Sequence, residues 1–287
     1  MCFGVRDAID LAVGRSETAP LTVLGDLVHN DAVLARLRSR GIESATDPAR
    51  VATRTVMVTA HGTSERSLAR TRALGLEIVD ATCPLVHVAH RAVHALVRDG
   101  YHPVIIGQRG HVEVRGLTDD LEAFDVVLDE ADVQALAPRP RLGVAAQTTQ
   151  PIERVRHLVE CIRRRFAGAD VHFIDTVCRP TKQRQTAAID LAREADVVIV
   201  VGGASSNNTR QLVETCGRYC ARVHHVQSDA EVCAGWFRDA DTVGITAGTS
   251  TPDDVVDRVE SRIRSIAAGT GAPERLPQAQ AFEVRQT

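Results

Sequence analysis

Three cysteines share a local sequence setting. Cys2, Cys83 and Cys178 each stand where an apolar segment or the chain start gives way to a sequence typical of a helix, and they divide the chain into near-equal thirds. A helix start favours the thiolate form of cysteine through the helix dipole and free amide groups. Three thiolates can hold a cubane iron–sulfur cluster and leave one iron open to a substrate. A zinc site on the same three sulfurs is the alternative.

The other four of the seven cysteines have different settings. Cys161 falls on the apolar face of a predicted helix, so we expect it in the core. Cys216 and Cys220 are four residues apart on one predicted helix, a spacing that a metal pair also uses. No neighbouring residue completes such a site, and we expect core or surface thiols. Cys233 lies beside an apolar Ala-Gly-Trp-Phe segment.

Three histidines follow predicted strands and adjoin asparagine or glycine. They are His29, His61 and His111. Histidine can hydrogen-bond a phosphate group, and its protonated form also offsets the negative charge. Glycine allows the backbone to approach a ligand closely. For each histidine taken alone, a strand-end ring satisfied by backbone groups is an equal alternative.

A second histidine pattern is helical. His87, His90 and His94 recur on one face of a predicted helix, which is typical of a metal-binding stripe. A partly exposed helical face explains the same spacing at least as well. We expect His224 and His225 to be ordinary strand residues.

Hydroxyl and amide side chains open two predicted helices. Ser205, Ser206 and Asn207 follow the most apolar strand of the chain, and Ser250 repeats the pattern further on. Helix starts of this type can bind an anion or serve as plain N-caps, and both can hold together. Two such starts together with several histidines suggest a diphosphate ligand. The consensus sequences of nucleotide-binding loops are absent.

One acidic residue stands out as a candidate proton donor. Glu113 lies two residues after His111, and on an extended strand-end segment both side chains face the same way. Thr148 and Thr149 follow another strand and are candidate hydroxyl relays. A surface glutamate is the alternative.

Short β-branched segments alternate with helical segments, which indicates parallel sheets covered on both faces. The predicted strands lie near residues 21–26, 55–60, 76–80, 103–107, 125–128, 141–145, 171–176, 197–202, 222–226 and 242–246. The predicted helices lie near residues 4–14, 31–40, 64–74, 84–98, 151–166, 181–194, 208–220 and 253–266. Most predicted strands are followed by a polar cluster, and ligands bind outside the carboxyl ends of such strands. We therefore expect one polar cavity where three sheets converge.

The fold class predicted is α/β, with three similar lobes of small, mostly parallel sheets around a central iron–sulfur cluster. We expect the lobes at residues 1–82, 83–177 and 178–266, and a flexible tail at 267–287 that is rich in Gly, Pro, Gln and Ala.

The amino-acid composition disfavours several classes of protein. The net charge is −3 and aromatic residues make up 3% of the chain. These values disfavour a nucleic-acid-binding protein, which needs a basic stripe or stacking platforms. No apolar run is long enough for a membrane span, and no signal peptide is evident. The odd cysteine count favours a reducing compartment, so we expect a cytoplasmic protein.

The motifs, taken in order, resemble those of the 4-hydroxy-3-methylbut-2-enyl diphosphate reductase family of the non-mevalonate isoprenoid pathway. They extend over nearly the whole chain. The matching segments are CFGVRDAI, LVHN, AHGTS, DATCPLV, GHVEVRG, QTT, CRPTKQRQ, SSNNTR and TAGTSTP.

The resemblance implies an activity and a set of site residues. It implies reductive dehydroxylation of 4-hydroxy-3-methylbut-2-enyl diphosphate to isopentenyl and dimethylallyl diphosphate, with electrons from a ferredoxin or flavodoxin. It implies a [4Fe–4S] cluster on the three cysteines, with Glu113 supplying protons and Thr148 positioning the substrate hydroxyl. Thr181 is expected to line the same cavity. The residues implied to bind the substrate are His29, His61, His111, Thr148, Ser205, Ser206, Asn207 and Ser250.

The chain also departs from the family pattern. The family has a strand ahead of the first cysteine, so we expect a misassigned start with that strand encoded upstream of Met1. The tail lacks a convincing final strand, and Arg179 and Pro180 stand where the family usually has other residues. Two other functions stay open: an iron–sulfur hydro-lyase, and a truncated or degenerate homologue that binds a cluster without turnover, as a sensor would.

Overall fold

The computed structural model describes residues 1–269, and its first sheet has four parallel strands in the order β2-β1-β3-β4. The strands are β1 (Leu21–Leu24), β2 (Glu43–Ala45), β3 (Thr55–Val58) and β4 (Glu77–Asp80). The helices of this part are α1 (Phe3–Ser16), α2 (Asp31–Ser39) and α3 (Glu65–Ala73). Small residues of α1 and apolar residues of α2 pack on β1 and β3 to form its core.

The second sheet also has four parallel strands, in the order β6-β5-β7-β8. The strands are β5 (His102–Ile106), β6 (Asp125–Val127), β7 (Arg141–Ala146) and β8 (Asp170–Phe173). The helices are α4 (Pro84–Arg98), α5 (Val112–Thr118), α6 (Glu130–Ala135) and α7 (Ile152–Arg165). Alternate residues of a strand face opposite sides. Ile105 therefore packs with α4 and α5, whereas Val104 and Ile106 pack with α6 and α7.

The third sheet has three parallel strands in the order β10-β9-β11. The strands are β9 (Val197–Val201), β10 (Val223–Val226) and β11 (Val243–Ala247). The helices are α8 (Arg179–Glu194), α9 (Asn207–Gly217) and α10 (Asp253–Ala267). Every residue of β9 is fully buried, with Ile199 facing α10 and Val198 facing α8 and α9. Burial on both faces explains why this strand is a continuous apolar run.

The predicted α/β class with parallel sheets is confirmed, and each predicted strand and helix has a counterpart among residues 1–269. One strand and two α-helices of the described residues were missed: β2, α5 and α6. Three short 3-10 helices, Pro48–Arg50, Asp229–Glu231 and Ala234–Trp236, were also not predicted. The lobe boundaries at 82/83 and 177/178 stay predictions. Most of the predicted tail, residues 270–287, lies outside the described residues. No helix in the described part of the chain is both long and apolar enough to cross a membrane.

Candidate active site

The three predicted cysteines occupy the same position in their helices. Cys2, Cys83 and Cys178 are the N-cap residues of α1, α4 and α8. None of their side chains accepts a hydrogen bond from the helix that it precedes. All three are unpaired and partly buried. The sulfurs are therefore not engaged in helix capping and remain available as ligands.

The backbone of each cysteine is held by the same contact. Its N–H donates to a carbonyl oxygen two residues past the end of a strand, at 2.9 to 3.1 Å. The acceptors are Thr249 after β11 for Cys2, Ala60 after β3 for Cys83, and Thr148 after β7 for Cys178. The repeated contact brings cysteines from all three predicted lobes to the carboxyl ends of parallel strands.

Cys83 also lies directly against α1. A Cβ atom added at Gly4 would be 2.5 Å from Cys83 Sγ, so only glycine leaves room for this sulfur. Cys178 Sγ donates to Thr181 Oγ1 at 3.0 Å, which places Thr181 beside the third cysteine. The first turn of each helix thus shapes the space around the sulfurs.

The cysteine pKa values differ from the sequence-based expectation. Burial raises the pKa of Cys83 and Cys178, although the nearby backbone amides of the first helical turn and the Thr181 hydroxyl act in the opposite direction. The expected lowering by the helix starts is therefore outweighed by desolvation. A bound metal cation reverses this balance, because a coordinating thiol loses its proton outright.

The three predicted histidines form one cluster. The ring centroids of His29 and His61 are 4.4 Å apart, and His111 lies 5.4 and 5.8 Å from them. His29 follows β1 and His61 follows β3, whereas His111 caps α5. The cluster therefore joins the first sheet to the second.

Burial keeps these histidines neutral. Desolvation lowers the pKa of His29, and it lowers the pKa of His111 to about 4. Desolvation, with the charges of the other two rings, holds the pKa of His61 well below 6.5. His29 Nε2 is buried and has no hydrogen-bond partner among residues 1–269. A buried polar atom without a partner is costly, so this nitrogen marks a position where a ligand can bind.

Hydroxyl and amide groups from the third sheet border the histidine cluster. Ser250 Oγ donates to the carbonyl oxygen of His29 at 3.3 Å. Ser206 is the N-cap of α9, and Asn207 Nδ2 donates to Thr149 Oγ1 at 3.1 Å. Ser205 is exposed. Only part of the predicted serine and asparagine group therefore contacts the histidine cluster. Ser250 contacts His29, whereas the hydroxyl of Ser206 caps α9.

Glu113 is buried, but the type of element predicted for it was wrong. It is the second residue of helix α5 and not part of a strand end. Its Oε1 accepts the N–H of Thr148 at 2.6 Å, and its own N–H donates to His111 Nδ1 at 3.1 Å. Burial raises its pKa to about 7, despite the hydrogen bonds from Thr148. The Thr149 hydroxyl bonds Gln147 and Asn207, which leaves Thr148 as the partner of Glu113.

Two further residues of this region were not predicted. Asn208 Oδ1 accepts the N–H of Thr249 at 2.9 Å, while its Nδ2 is buried without a partner. Arg210 donates to Gln108 at 2.9 Å, and its positive charge lowers the pKa of His29 and His111. Both lie in the SSNNTR segment, which was the available sequence signal.

The helical histidines do not join this site. His87, His90 and His94 line a separate cavity of about 210 Å³ beside β4. Burial lowers the pKa of His90 to about 4, and His87 lies 3.5 Å from Asp80. The three are not among the described side chains grouped closely enough to hold one metal ion.

The remaining cysteines have structural partners. Cys216 and Cys220 are buried, and each donates to a backbone carbonyl. Cys161 is buried in the core of the second sheet, as expected. His224 stacks on Trp236 with ring centroids 4.1 Å apart.

Comparison with known proteins gives one consistent result. The family model described as LytB protein matches residues 1–264. The chain is 37% identical over 268 residues to the 4-hydroxy-3-methylbut-2-enyl diphosphate reductase of Pelobacter propionicus, covering 92% of this chain and 95% of that protein. It is 36% identical to the protein of the same name from Geobacter sulfurreducens, covering 92% and 94%.

Solved structures agree. The E-1-hydroxy-2-methyl-but-2-enyl-4-diphosphate reductase from Plasmodium falciparum superposes with a TM-score of 0.87 at 25% identity, over 98% of this chain and 92% of that chain. A second structure is described as (E)-4-hydroxy-3-methyl-but-2-enyl diphosphate reductase, the terminal enzyme of the non-mevalonate pathway. It superposes with a TM-score of 0.66 at 33% identity, over 92% of this chain and 96% of that chain.

We predict that the pKa values of the three clustered histidines change when a diphosphate binds. Inorganic pyrophosphate bound at the cluster should raise the depressed pKa values of His29, His61 and His111, because a nearby anion favours the charged ring. Histidine ring signals followed by NMR between pH 4 and pH 8, with and without pyrophosphate, measure this. The ring of His224, whose pKa is also lowered by burial, is the internal control and should not respond. Unchanged cluster titrations at saturating pyrophosphate would argue against an anion site here.

Proposed function

The chain belongs to the LytB protein family, and from this membership we propose that it converts 4-hydroxy-3-methylbut-2-enyl diphosphate to isopentenyl and dimethylallyl diphosphate, the last step of the non-mevalonate pathway. One observation carries the proposal. Three neutral, desolvated histidines within 6 Å of one another adjoin a buried glutamate, Glu113, which lies close enough to raise the pKa of two of the three N-cap cysteines when it is ionised. This combination suits a diphosphate at one end and acid-assisted redox chemistry at the other.

The cysteines suit an iron–sulfur cluster. Three unpaired thiols, free of capping bonds, form a soft donor set of the kind that holds iron–sulfur clusters. We propose that Cys2, Cys83 and Cys178 hold a [4Fe–4S] cluster. When bound, it supplies electrons one at a time and a Lewis-acidic iron.

The histidines and the third lobe are proposed to hold the diphosphate. His29 Nε2 and Asn208 Nδ2 are buried nitrogens without a partner, and each can donate to a phosphate oxygen. Ser205, Ser206 and Asn207 form the start of α9, where free amides favour an anion. Ser250 contacts the backbone carbonyl of His29. We propose that these four residues contact the diphosphate. Arg210 adds a permanent positive charge beside His29 and His111. Anchoring the diphosphate fixes the alcohol end toward the cysteines.

Glu113 is proposed as the proton donor. With a pKa of about 7 it is substantially protonated at neutral pH, unlike an ordinary glutamate. The Thr148 N–H fixes the carboxyl group. The Thr148 hydroxyl is proposed to position the substrate alcohol. Protonation of the leaving oxygen releases water. Two electrons and a second proton at either end of the allylic group complete the two products.

We also propose an electron donor, a compartment and the lobe boundaries. The electron donor is proposed to be a ferredoxin or flavodoxin, and the compartment to be the cytoplasm. The lobes are proposed to span residues 1–82, 83–177 and 178–266. Each contributes one cysteine, and the site lies where they meet.

Anaerobic turnover tests the function directly. The reconstituted protein is given 4-hydroxy-3-methylbut-2-enyl diphosphate with and without a chemical one-electron reductant. We expect the two five-carbon diphosphates to form only with reductant. Product without reductant would instead indicate a hydro-lyase, and a bound cluster without turnover would indicate a degenerate homologue. Iron and sulfide analysis separates a cluster from zinc.

Glu113→Gln tests the acid. We expect turnover to fall by about 100-fold or more, because a general acid contributes ~10²–10⁴-fold. Cluster content should be retained. In the parent protein, turnover should decline as pH rises through about 7, since the protonated fraction of Glu113 falls there. The exposed Glu153→Gln serves as the control. Near-normal turnover in Glu113→Gln would remove this residue from the acid role.

Gly4→Ala tests the packing around Cys83. Its new methyl group meets Cys83 Sγ at 2.5 Å, so we expect less iron and sulfide per chain after reconstitution. Gly14→Ala lies in the same helix with nothing within 4 Å of the new Cβ. That variant should keep its cluster and gain up to ~1 kcal/mol of helix stability. Equal iron and sulfide content in both variants would contradict the packing argument.

A further inference from the structure

A cysteine, a histidine and a glutamate meet on the second sheet's outer helices. His157 and Cys161 are four residues apart on α7, so they share one face of the helix. Glu130 is the first residue of α6, which packs beside α7. One ligand atom from each of the three lies within 4.8 Å of the other two.

The contacts converge on a single ring nitrogen. His157 Nε2 lies 2.7 Å from Glu130 Oε1 and 3.6 Å from Cys161 Sγ. A carboxylate oxygen and a sulfur thus approach the same atom from two elements. An ion pair accounts for the contact between Glu130 and His157. It does not account for the contact between Cys161 Sγ and the same ring nitrogen.

The spacing suits a tetrahedral metal. Zinc binds histidine nitrogen at about 2.0–2.1 Å and cysteine sulfur at about 2.3 Å, so two such ligands at a tetrahedral angle lie roughly 3.6 Å apart. The observed distance from nitrogen to sulfur is 3.6 Å. The distance from nitrogen to oxygen needs to open from 2.7 Å to roughly 3.3 Å, which a rotation of the exposed Glu130 side chain allows.

We propose that Glu130, His157 and Cys161 form a binding site for Zn²⁺ or a divalent transition metal of similar preference, separate from the cluster cysteines. The set of one sulfur, one imidazole and one carboxylate matches the ligands that zinc takes in proteins. Three protein ligands leave a fourth position for water. Glu130 and His157 are both more than half exposed, so a metal can enter from solvent.

The positive charge of Arg164 disfavours metal binding at this site. It lies one turn after Cys161 on α7, and its guanidinium donates to Cys161 Sγ at 3.2 Å. Its side chain must turn away when a cation binds, and its positive charge repels that cation. Removing this charge should therefore strengthen binding, whereas removing any one of the three ligands should weaken it. A role for Cys161 in core packing alone predicts neither effect.

The test is zinc binding by the cluster-loaded protein, in which the other proposed cysteine ligands are occupied. Zn²⁺ alone is titrated against a chromophoric chelator under anaerobic conditions, and the visible absorption of the cluster is followed to show that it stays intact. We expect one zinc per chain. Cys161→Ser and His157→Ala should weaken binding by more than ~100-fold, beyond the 10–100-fold cost of an outer-shell change. Glu130→Gln should weaken it less.

Two variants complete the comparison. Arg164→Ala should bind zinc more tightly than the parent protein. His94→Ala removes an exposed helical histidine outside the group and should leave zinc affinity unchanged. X-ray absorption at the zinc edge of the parent protein should show one sulfur ligand, a readout that does not depend on how variants fold. Absence of stoichiometric zinc, or zinc with only nitrogen and oxygen ligands, would overturn the proposal, as would an unaltered affinity in Cys161→Ser.

Discussion

The site depends on one repeated backbone hydrogen bond. In each third of the chain a cysteine N–H donates to a carbonyl two residues past the end of a parallel strand. A parallel sheet places the ends of its strands at one edge, so this bond fixes each sulfur relative to that edge. The helix after each cysteine then packs on a different sheet: α1 on the first, α4 on the second and α8 on the third. Each cysteine therefore lies where the strand end of one sheet meets the helix of another.

Desolvation sets the protonation states of the buried acid and histidines in this site. It keeps acids and bases alike in their neutral forms, which is why the pKa of Glu113 rises while those of the three histidines fall. The interior can therefore be closely packed without like charges repelling one another. A charged ligand then changes the protonation of its surroundings as it enters. Among the described residues, the buried nitrogens His29 Nε2 and Asn208 Nδ2 have no hydrogen-bond partner.

Much of the fold could be predicted because continuous apolar strands such as β9 can only be buried on both faces. β2 was missed because it has only three residues, of which Glu43 and Ser44 are polar and exposed, and only edge pairing with β1 makes them a strand. α5 was missed because two valines and an internal glycine disfavour a helix, yet the cap at His111 and packing on the second sheet impose one. The pKa of Cys83 depends on burial, which local sequence does not encode.

The bond from Cys2 to Thr249 has a consequence for the order of folding. Each sheet is built from a continuous part of the chain, so its strands can pair soon after synthesis, at short sequence separation. Cys2, by contrast, precedes the first sheet in the chain and finds its backbone partner only when β11 has been made. The first of the three cysteines is thus the last to be fixed. The proposed three-sulfur site is complete only after translation of the third sheet, and all three sulfurs can hold a metal only from that point on.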